Sequence, residues 1–265
     1  MSQPSSVLGP IERSFLTSMA SSGKRVFRYE EAVPYWASTR QARKALSRLV
    51  KKGWLKRLRR GLYLLIPLEA GLEGNWSEDP LVIATQIVPE GAVSYWTALH
   101  YWNMTEQIPR TVFVQICDGS YLPKTRILGV RYRFVMVKEE RCFGVLTRTS
   151  DGMMIRIADR EKTLVDSLDR PDLSGGILLI AEALKSTRNV DWNKLDSYLD
   201  RFGSGAIYKR LGYLAEYLNI ALPPDLLLEW QDKLTEGIAW LEPGGMSDGP
   251  IKTRWRLRVN VDGLA

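Results

Sequence analysis

Histidine is almost absent from this chain of 265 residues, which holds one, His100. A His-rich metal site is thereby excluded, and a Ser-His-Asp arrangement would have to use a residue set among Ala98, Leu99, Tyr101 and Trp102. A packed, hydrogen-bonded helix histidine is the expectation there. Cysteine is nearly as scarce. Cys117 and Cys142 lie far apart in apolar, strand-like surroundings without a Cys-x-x-Cys pair, so both are expected as small buried hydrophobes and not as a structural disulfide. No run of about 18 apolar residues occurs, and the opening MSQPSSVLGP lacks the basic start and apolar stretch of a signal peptide. A cytoplasmic protein without membrane contact is expected. Also missing is a phosphate-binding loop of the Gly-x-x-x-x-Gly-Lys-Ser/Thr type; the doublets Gly175-Gly176 and Gly244-Gly245 lack the spacing of a nucleotide fingerprint.

The most telling absence is local. Between Ser38 and Arg60 there is no acidic residue, while ten Lys or Arg occur. Within that stretch Ala42, Ala45, Leu46, Leu49 and Val50 recur at the spacing of one helix face, with Ser38 or Thr39 to cap the start and Gly53 to end it. The opposite face carries Arg40, Gln41, Arg43, Lys44, Ser47, Arg48 and Lys51, a basic and hydrogen-bonding stripe suited to a major groove. Trp54 to Leu58 and Leu62 to Ile66 then read as two strands joined by a turn at Arg59-Arg60-Gly61. Upstream, Ile11, Phe15, Leu16 and Met19 predict a first helix, and Tyr29 to Val33 a short second one, which Pro34 discourages from continuing. Helix, helix, basic helix and hairpin is the order of a winged helix-turn-helix domain.

Charge separates this region from the rest. Met1 to Pro67 has 14 basic against 3 acidic residues, a balance of +11, and the remainder has 23 against 27, a balance of −4. Attraction to a polyanion therefore resides in the first quarter. The predicted organisation is α+β: a winged-helix domain over 1–68, a turn-rich linker with Gly71, Gly74 and Asn75, and a larger α/β domain over 76–265. In the second domain helices are expected over Ser77 to Val88 and Val93 to Trp102. Strands follow at Thr111 to Cys117, Val130 to Val137, Phe143 to Arg148 and Met153 to Ile157, with a polar loop between the first two. From Asp159 the period becomes helical. Further helices are expected near Ser174, Asp191, Ser204 and Pro224, to about 236, and Lys252 to Val261 alternates like a final strand.

Asp159, Glu161, Lys162 and Asp166 crowd one segment, a grouping of the kind that can hold Mg²⁺ in a nuclease. Its simpler reading is structural: Asp159 as a helix cap, Lys162 and Asp166 as an i, i+4 surface pair, and Leu164, Val165 and Leu168 facing the core. No catalytic residue, cofactor or metal is expected.

Four segments in order carry a resemblance to a known family. They are Leu58-Arg59-Arg60-Gly61-Leu62-Tyr63 at the end of the winged helix, SYWTALHYWNMTEQIP from Ser94 to Pro109, the strand after it, and ADREKTLVDSLDRP from Ala158 to Pro171. To about Asn219 the chain resembles the abortive-infection type IV antitoxins, the AbiEi-like transcriptional regulators of viral defence systems. The resemblance implies a winged helix that binds inverted repeats in its own promoter and represses the operon, with a C-terminal domain that counters a nucleotidyltransferase-like toxin without a stable complex. On double-stranded DNA, Thr39, Arg40, Gln41, Arg43 and Lys44 are expected near base edges, and Arg48, Lys51 and Lys52 near phosphates. Arg57, Arg59 and Arg60 of the wing are expected at phosphates or the minor groove. Alternatives are a stand-alone regulator whose C-terminal domain senses a ligand or partner, and a metal-dependent nuclease targeted by the winged helix.

Overall fold

A computed structural model describes residues 8–67, 78–117, 126–150 and 152–264; the linker glycines and most of the polar loop after Cys117 lie outside them. The N-terminal head runs α1 (Pro10–Ser21), β1 (Val26–Arg28), α2 (Tyr29–Ala32), a 3-10 turn (Val33–Tyr35), α3 (Thr39–Lys51), β2 (Leu55–Arg59) and β3 (Leu62–Leu65). Proline at the first helical position starts α1, and Ser38 caps α3 by accepting the Gln41 N–H at 3.3 Å. Gly53, at φ +80°, turns the chain out of α3 into the hairpin. Ala42, Ala45, Leu46 and Leu49 are wholly buried, and Phe15 lies at the centre of the head with its ring 5.3 Å from Phe27, 5.1 Å from Tyr35 and 5.0 Å from Trp36. This is the predicted winged helix, with the addition of β1. Three residues are too few to show an alternating pattern, but Val26 opposite Leu64 makes a three-stranded antiparallel sheet in the order β1-β3-β2.

The body begins with α4 (Pro80–Ile87), β4 (Ala92–Val93) and α5 (Tyr95–Tyr101). It continues through β5 (Thr111–Ile116), β6 (Arg126–Ile127), β7 (Val130–Met136), β8 (Val145–Ser150) and β9 (Met153–Ala158). These strands form one mixed sheet in the order β6-β7-β5-β4-β9-β8. Its third predicted strand starts two residues late because Gly144 sits at φ +63°, and a Cβ there would come within 2.8 Å of the Lys162 stem. Five helices follow: α6 (Arg160–Asp169), α7 (Ile177–Ser186), α8 (Trp192–Phe202), α9 (Gly205–Tyr217) and α10 (Leu226–Asp232).

Two expectations fail here. Lys252 to Val261 is not one strand: it holds the end of β11 (Ile251–Lys252), a 3-10 turn (Thr253–Trp255) and β12 (Leu257–Arg258), and the earlier β10 (Ala239–Trp240) joins them in one sheet. Trp255 turns inward to pack where Gly212 of α9 leaves room, and Arg256 enters the left-handed region at φ +47°, so the alternation is broken at its centre. The cysteines are not separate buried thiols either: Cys117 and Cys142 form a disulfide with their Cα atoms 5.8 Å apart. Cys117 follows β5, and β7 runs parallel beside β5. A 3-10 turn (Glu139–Arg141) then returns the chain, which brings residues 25 apart in sequence within bridging distance.

Head and body share a core. The inner side of the head sheet buries Phe27, Leu55, Tyr63 and Leu65 with α1 and α3. Its other side places Val26, Leu58, Leu62, Leu64 and Ile66 in one cluster with Ile83, Ala84 and Ile87 of α4 and Val112, Val114 and Phe134 of the body sheet. All four residues of β3 are buried, as expected of a strand covered on both faces.

Candidate nucleic-acid interface

The apolar stripe of α3 is spent on the head core, so its remaining side chains are set outward at fixed positions. Thr39, Arg40, Gln41, Arg43, Lys44, Ser47 and Lys51 are exposed. A helix of 13 residues is about 20 Å long and narrow enough for a major groove roughly 12 Å wide. Arg40, Arg43, Lys44 and Lys51 stand in no ion pair to a carboxylate among the described residues, so their charge is available to an anion. Beside them, Gln41, Lys44 and Arg48 share an open groove with Pro10 and Trp36.

Arg48 and Lys52 are placed differently. The Arg48 guanidinium donates from Nε (3.1 Å) and Nη2 (3.0 Å) to Oε1 of Glu12, and Lys52 Nζ lies 3.6 Å from its Oε2. Glu12 is buried and also accepts the Gly9 N–H, so one carboxylate ties the start of α1 to the last two turns of α3. Burial alone would push this carboxyl up. The Gly9 and Arg48 hydrogen bonds, with the charges of Lys52 and Arg48, hold it below the ordinary 4.5. A depressed acid contributes stability above its ordinary pKa that is lost as pH falls through the lowered value. Glu12→Gln is therefore expected to destabilise the protein by about 1–2 kcal/mol at neutral pH. It should also flatten the decline in melting temperature below pH 4.5; parallel melting curves for variant and parent would remove Glu12 from this role.

In the wing, Arg57 and Arg60 are exposed. Arg57 Nε turns back to donate to the Arg59 carbonyl at 3.4 Å, and Arg59 is half-buried with its Nε shielded from solvent. Tyr29, a residue the sequence reading assigned only to a short helix, links the two elements: its N–H donates to the Gly61 carbonyl at 2.8 Å and its hydroxyl to the Thr39 carbonyl at 2.8 Å. The hairpin turn and the first turn of α3 are thus held by one residue, the former through its backbone and the latter through its side chain.

The carboxylate segment of the body is buried where a surface was expected. Every residue from Glu161 to Leu168 of α6 is buried, and Lys162 and Asp166 form an ion pair with 0% and 1% side-chain exposure, not a surface pair. Helices α5, α7, α8 and α9 all pack against α6, which leaves it no solvent face. Asp159 does cap α6, accepting the Lys162 N–H at 2.8 Å, and also binds the Tyr198 hydroxyl (2.8 Å) and Lys194 (3.0 Å). Glu161 accepts from Lys194 at 2.8 Å and from the Asp191 N–H at 3.1 Å. These oxygens are directed at protein donors, and among the described residues no group of three His, Cys, Asp or Glu is placed to hold a metal ion. His100 is half-buried, and its Nδ1 is buried without the expected hydrogen-bond partner among the described residues. Also among these residues, no helix is long and apolar enough to cross a membrane.

Residues 14–66, which run from within α1 through α3 and the hairpin of the head, match the family model described as transcriptional regulator, AbiEi antitoxin. Over 95% of its length the chain is similar in fold to the crystal structure of the RV2827C protein from Mycobacterium tuberculosis, covering 92% of that chain with a TM-score of 0.70 at 14% identity. No curated protein matches the chain.

Proposed function

We propose, from the match of residues 14–66 to the AbiEi antitoxin regulators, that this protein is an autorepressor and antitoxin of a type IV toxin-antitoxin system in phage defence. It acts in the cytoplasm on inverted repeats of its own promoter, as a regulator and not as an enzyme. The head (1–68) binds DNA, and the body (76–265) counteracts a nucleotidyltransferase-like toxin without a stable complex. The observation that carries the reading is the outer face of α3: exposed, acid-free and anchored from behind by Ala42, Ala45, Leu46 and Leu49. Thr39, Arg40, Gln41, Arg43 and Lys44 approach base edges, where arginine or lysine pairs with guanine and glutamine with adenine. Lys51 reaches phosphates, and Arg48 and Lys52 do so from positions set by Glu12. Arg57, Arg59 and Arg60 follow the backbone or the minor groove, Arg59 with the least reach because it is half-buried.

Fluorescence anisotropy on DNA from upstream of the gene, against scrambled DNA of equal length across a salt series, tests this directly. A preference of about a thousandfold or more is expected. Arg40→Ala should weaken upstream binding by about 1–3 kcal/mol and scrambled binding much less. Equal, steeply salt-dependent binding to both DNAs would reduce the head to an electrostatic anchor. Rescue of growth when the chain is co-expressed with the adjacent gene tests the antitoxin half.

A further inference from the structure

The tail beyond Asn219, which the head's function leaves unused, builds a small platform. Strands β10, β12 and β11 lie side by side, with Trp240 level with Arg258 and Arg258 level with Ile251. The inner side is fully anchored: Leu241, Trp255, Leu257 and Val259 are buried in the core with α9. Asn260 ties Glu242 to Met246 through both ends of its amide. The Trp240 carbonyl accepts from Arg210 at 2.9 Å, which fixes β10 against α9. On the outer side the row is open to solvent: Trp240 is 41% exposed, Ile251 40%, and Ile238, two residues before Trp240, 53%.

Large apolar side chains held outward on a braced sheet mark a binding surface, and their charge neighbours indicate its ligand. On β11, β12 and the turn between them, Gly249 to Val261, the charges are Lys252, Arg254, Arg256 and Arg258, while the exposed acids Glu236, Asp248 and Asp262 lie outside the strands. Arg254 is paired with Glu216, but among the described residues neither Arg256 nor Arg258 pairs with a carboxylate. Arg256 donates to the carbonyls of Leu234 and Thr235, and Arg258 to that of Gly249, with its guanidinium 5.2 Å from the Trp240 ring centre. An indole beside the uncompensated Arg258 guanidinium on the sheet face, with exposed Arg256 just before β12, combines a stacking surface with phosphate-attracting charge.

We infer that the β10-β12-β11 face binds single-stranded nucleic acid, with Trp240 stacking on a base and Arg256 and Arg258 on the backbone. Duplex recognition by α3 and single-strand binding by the tail use different surfaces, so the failure of one leaves the other standing.

The test is anisotropy of fluorescein-labelled dT12 titrated with the full chain. Trp240→Ala is expected to weaken binding roughly tenfold and Trp240→Phe to restore most of it. Arg258→Ala should lower the slope of log affinity against log salt by about 0.7. Because the basic head also attracts a polyanion, the same titrations are repeated with Arg40→Ala and Lys44→Ala in the head, where overall binding is weaker but the roughly tenfold effect of Trp240→Ala should persist. With 4-thiothymidine in the oligonucleotide, crosslinks of the unaltered protein should fall on peptides containing Trp240 or Arg258, which decides the matter even if a tail variant folds poorly. Crosslinks confined to the head, or Trp240→Ala binding like the parent, overturn the inference. So does an acidic amphipathic peptide that binds where dT12 does not, since the face would then belong to a protein partner.

Discussion

Lys162→Ala is expected to destabilise the protein by about 3–5 kcal/mol, because it leaves the Asp166 carboxylate buried without its counter-charge. Lys162 is wholly enclosed, its ammonium 5.0 Å from the Phe143 ring centre and 5.4 Å from that of Phe202, and Gly144 packs against its stem. On the other side Asp166 has only Gln115, whose amide donates at 3.5 Å, and its second oxygen finds no partner among the described residues. Replacing both members, Lys162→Met with Asp166→Leu, removes the two desolvated charges together and should be near neutral or even stabilising by about 1–4 kcal/mol. Burial pushes the Asp166 carboxyl above its ordinary 3.8, and the Lys162 charge only partly opposes this. An acid with a raised pKa stabilises the fold fully below its ordinary value, and that contribution is lost as pH rises through the raised one. Without Lys162 the carboxyl rises further, so the deficit of Lys162→Ala should narrow as pH is lowered. Urea denaturation at pH 7 and pH 5 measures it, and a pH-independent deficit would show that loss of packing, not of charge, dominates.

The second large effect lies at the head-body junction. Leu64→Ala is expected to cost about 2–5 kcal/mol, since Leu64 is wholly buried in the cluster that joins the head sheet to α4 and the body sheet. A head excised as residues 1–67 would uncover Val26, Leu58, Leu62, Leu64 and Ile66 together. At roughly 1.5–3 kcal/mol for a fully buried aliphatic side chain, that face outweighs the few kcal/mol a domain of this size supplies alone. The fragment should be unfolded or aggregated, and the intact chain should unfold in one transition. A monomeric fragment with a dispersed amide spectrum would show that the head core suffices.

Legibility in the sequence followed the physics of each element. The basic face of α3 was readable because a helix with one buried side and one solvated side has a strong period, and its exposed residues stand where the spacing placed them. Helix α6 misled for the converse reason. Its charges at i, i+4 read as a surface pair, but covered on all sides it carries them inside, and periodicity cannot register a charge that is paired and buried. Strands β4 and β6, two residues each, were too short to show any pattern. The disulfide and the two-sided burial of β3 depend on chain paths, although the unbroken Leu62-Tyr63-Leu64-Leu65-Ile66 run was a signal for the latter. Within the interface, the clamp of Glu12 on Arg48 and Lys52 spans 36 and 40 positions. Only its local half, a glutamate three residues after Gly9, was visible as a capping pattern.

A wing shared by two cores also limits how such a gene can be rearranged. A crossover in the linker between head and body would transplant the basic helix α3, but with it the underside of a hairpin shaped for another protein's α4. The hybrid would carry mismatched apolar surface from Val26 to Ile66 at its seam. If α3 reads the operator as we propose, new operator preferences are more accessible by single substitutions among the exposed side chains from Thr39 to Lys51, which leave that seam intact. In this architecture target choice is free to drift residue by residue, while the joint beneath it is inherited whole.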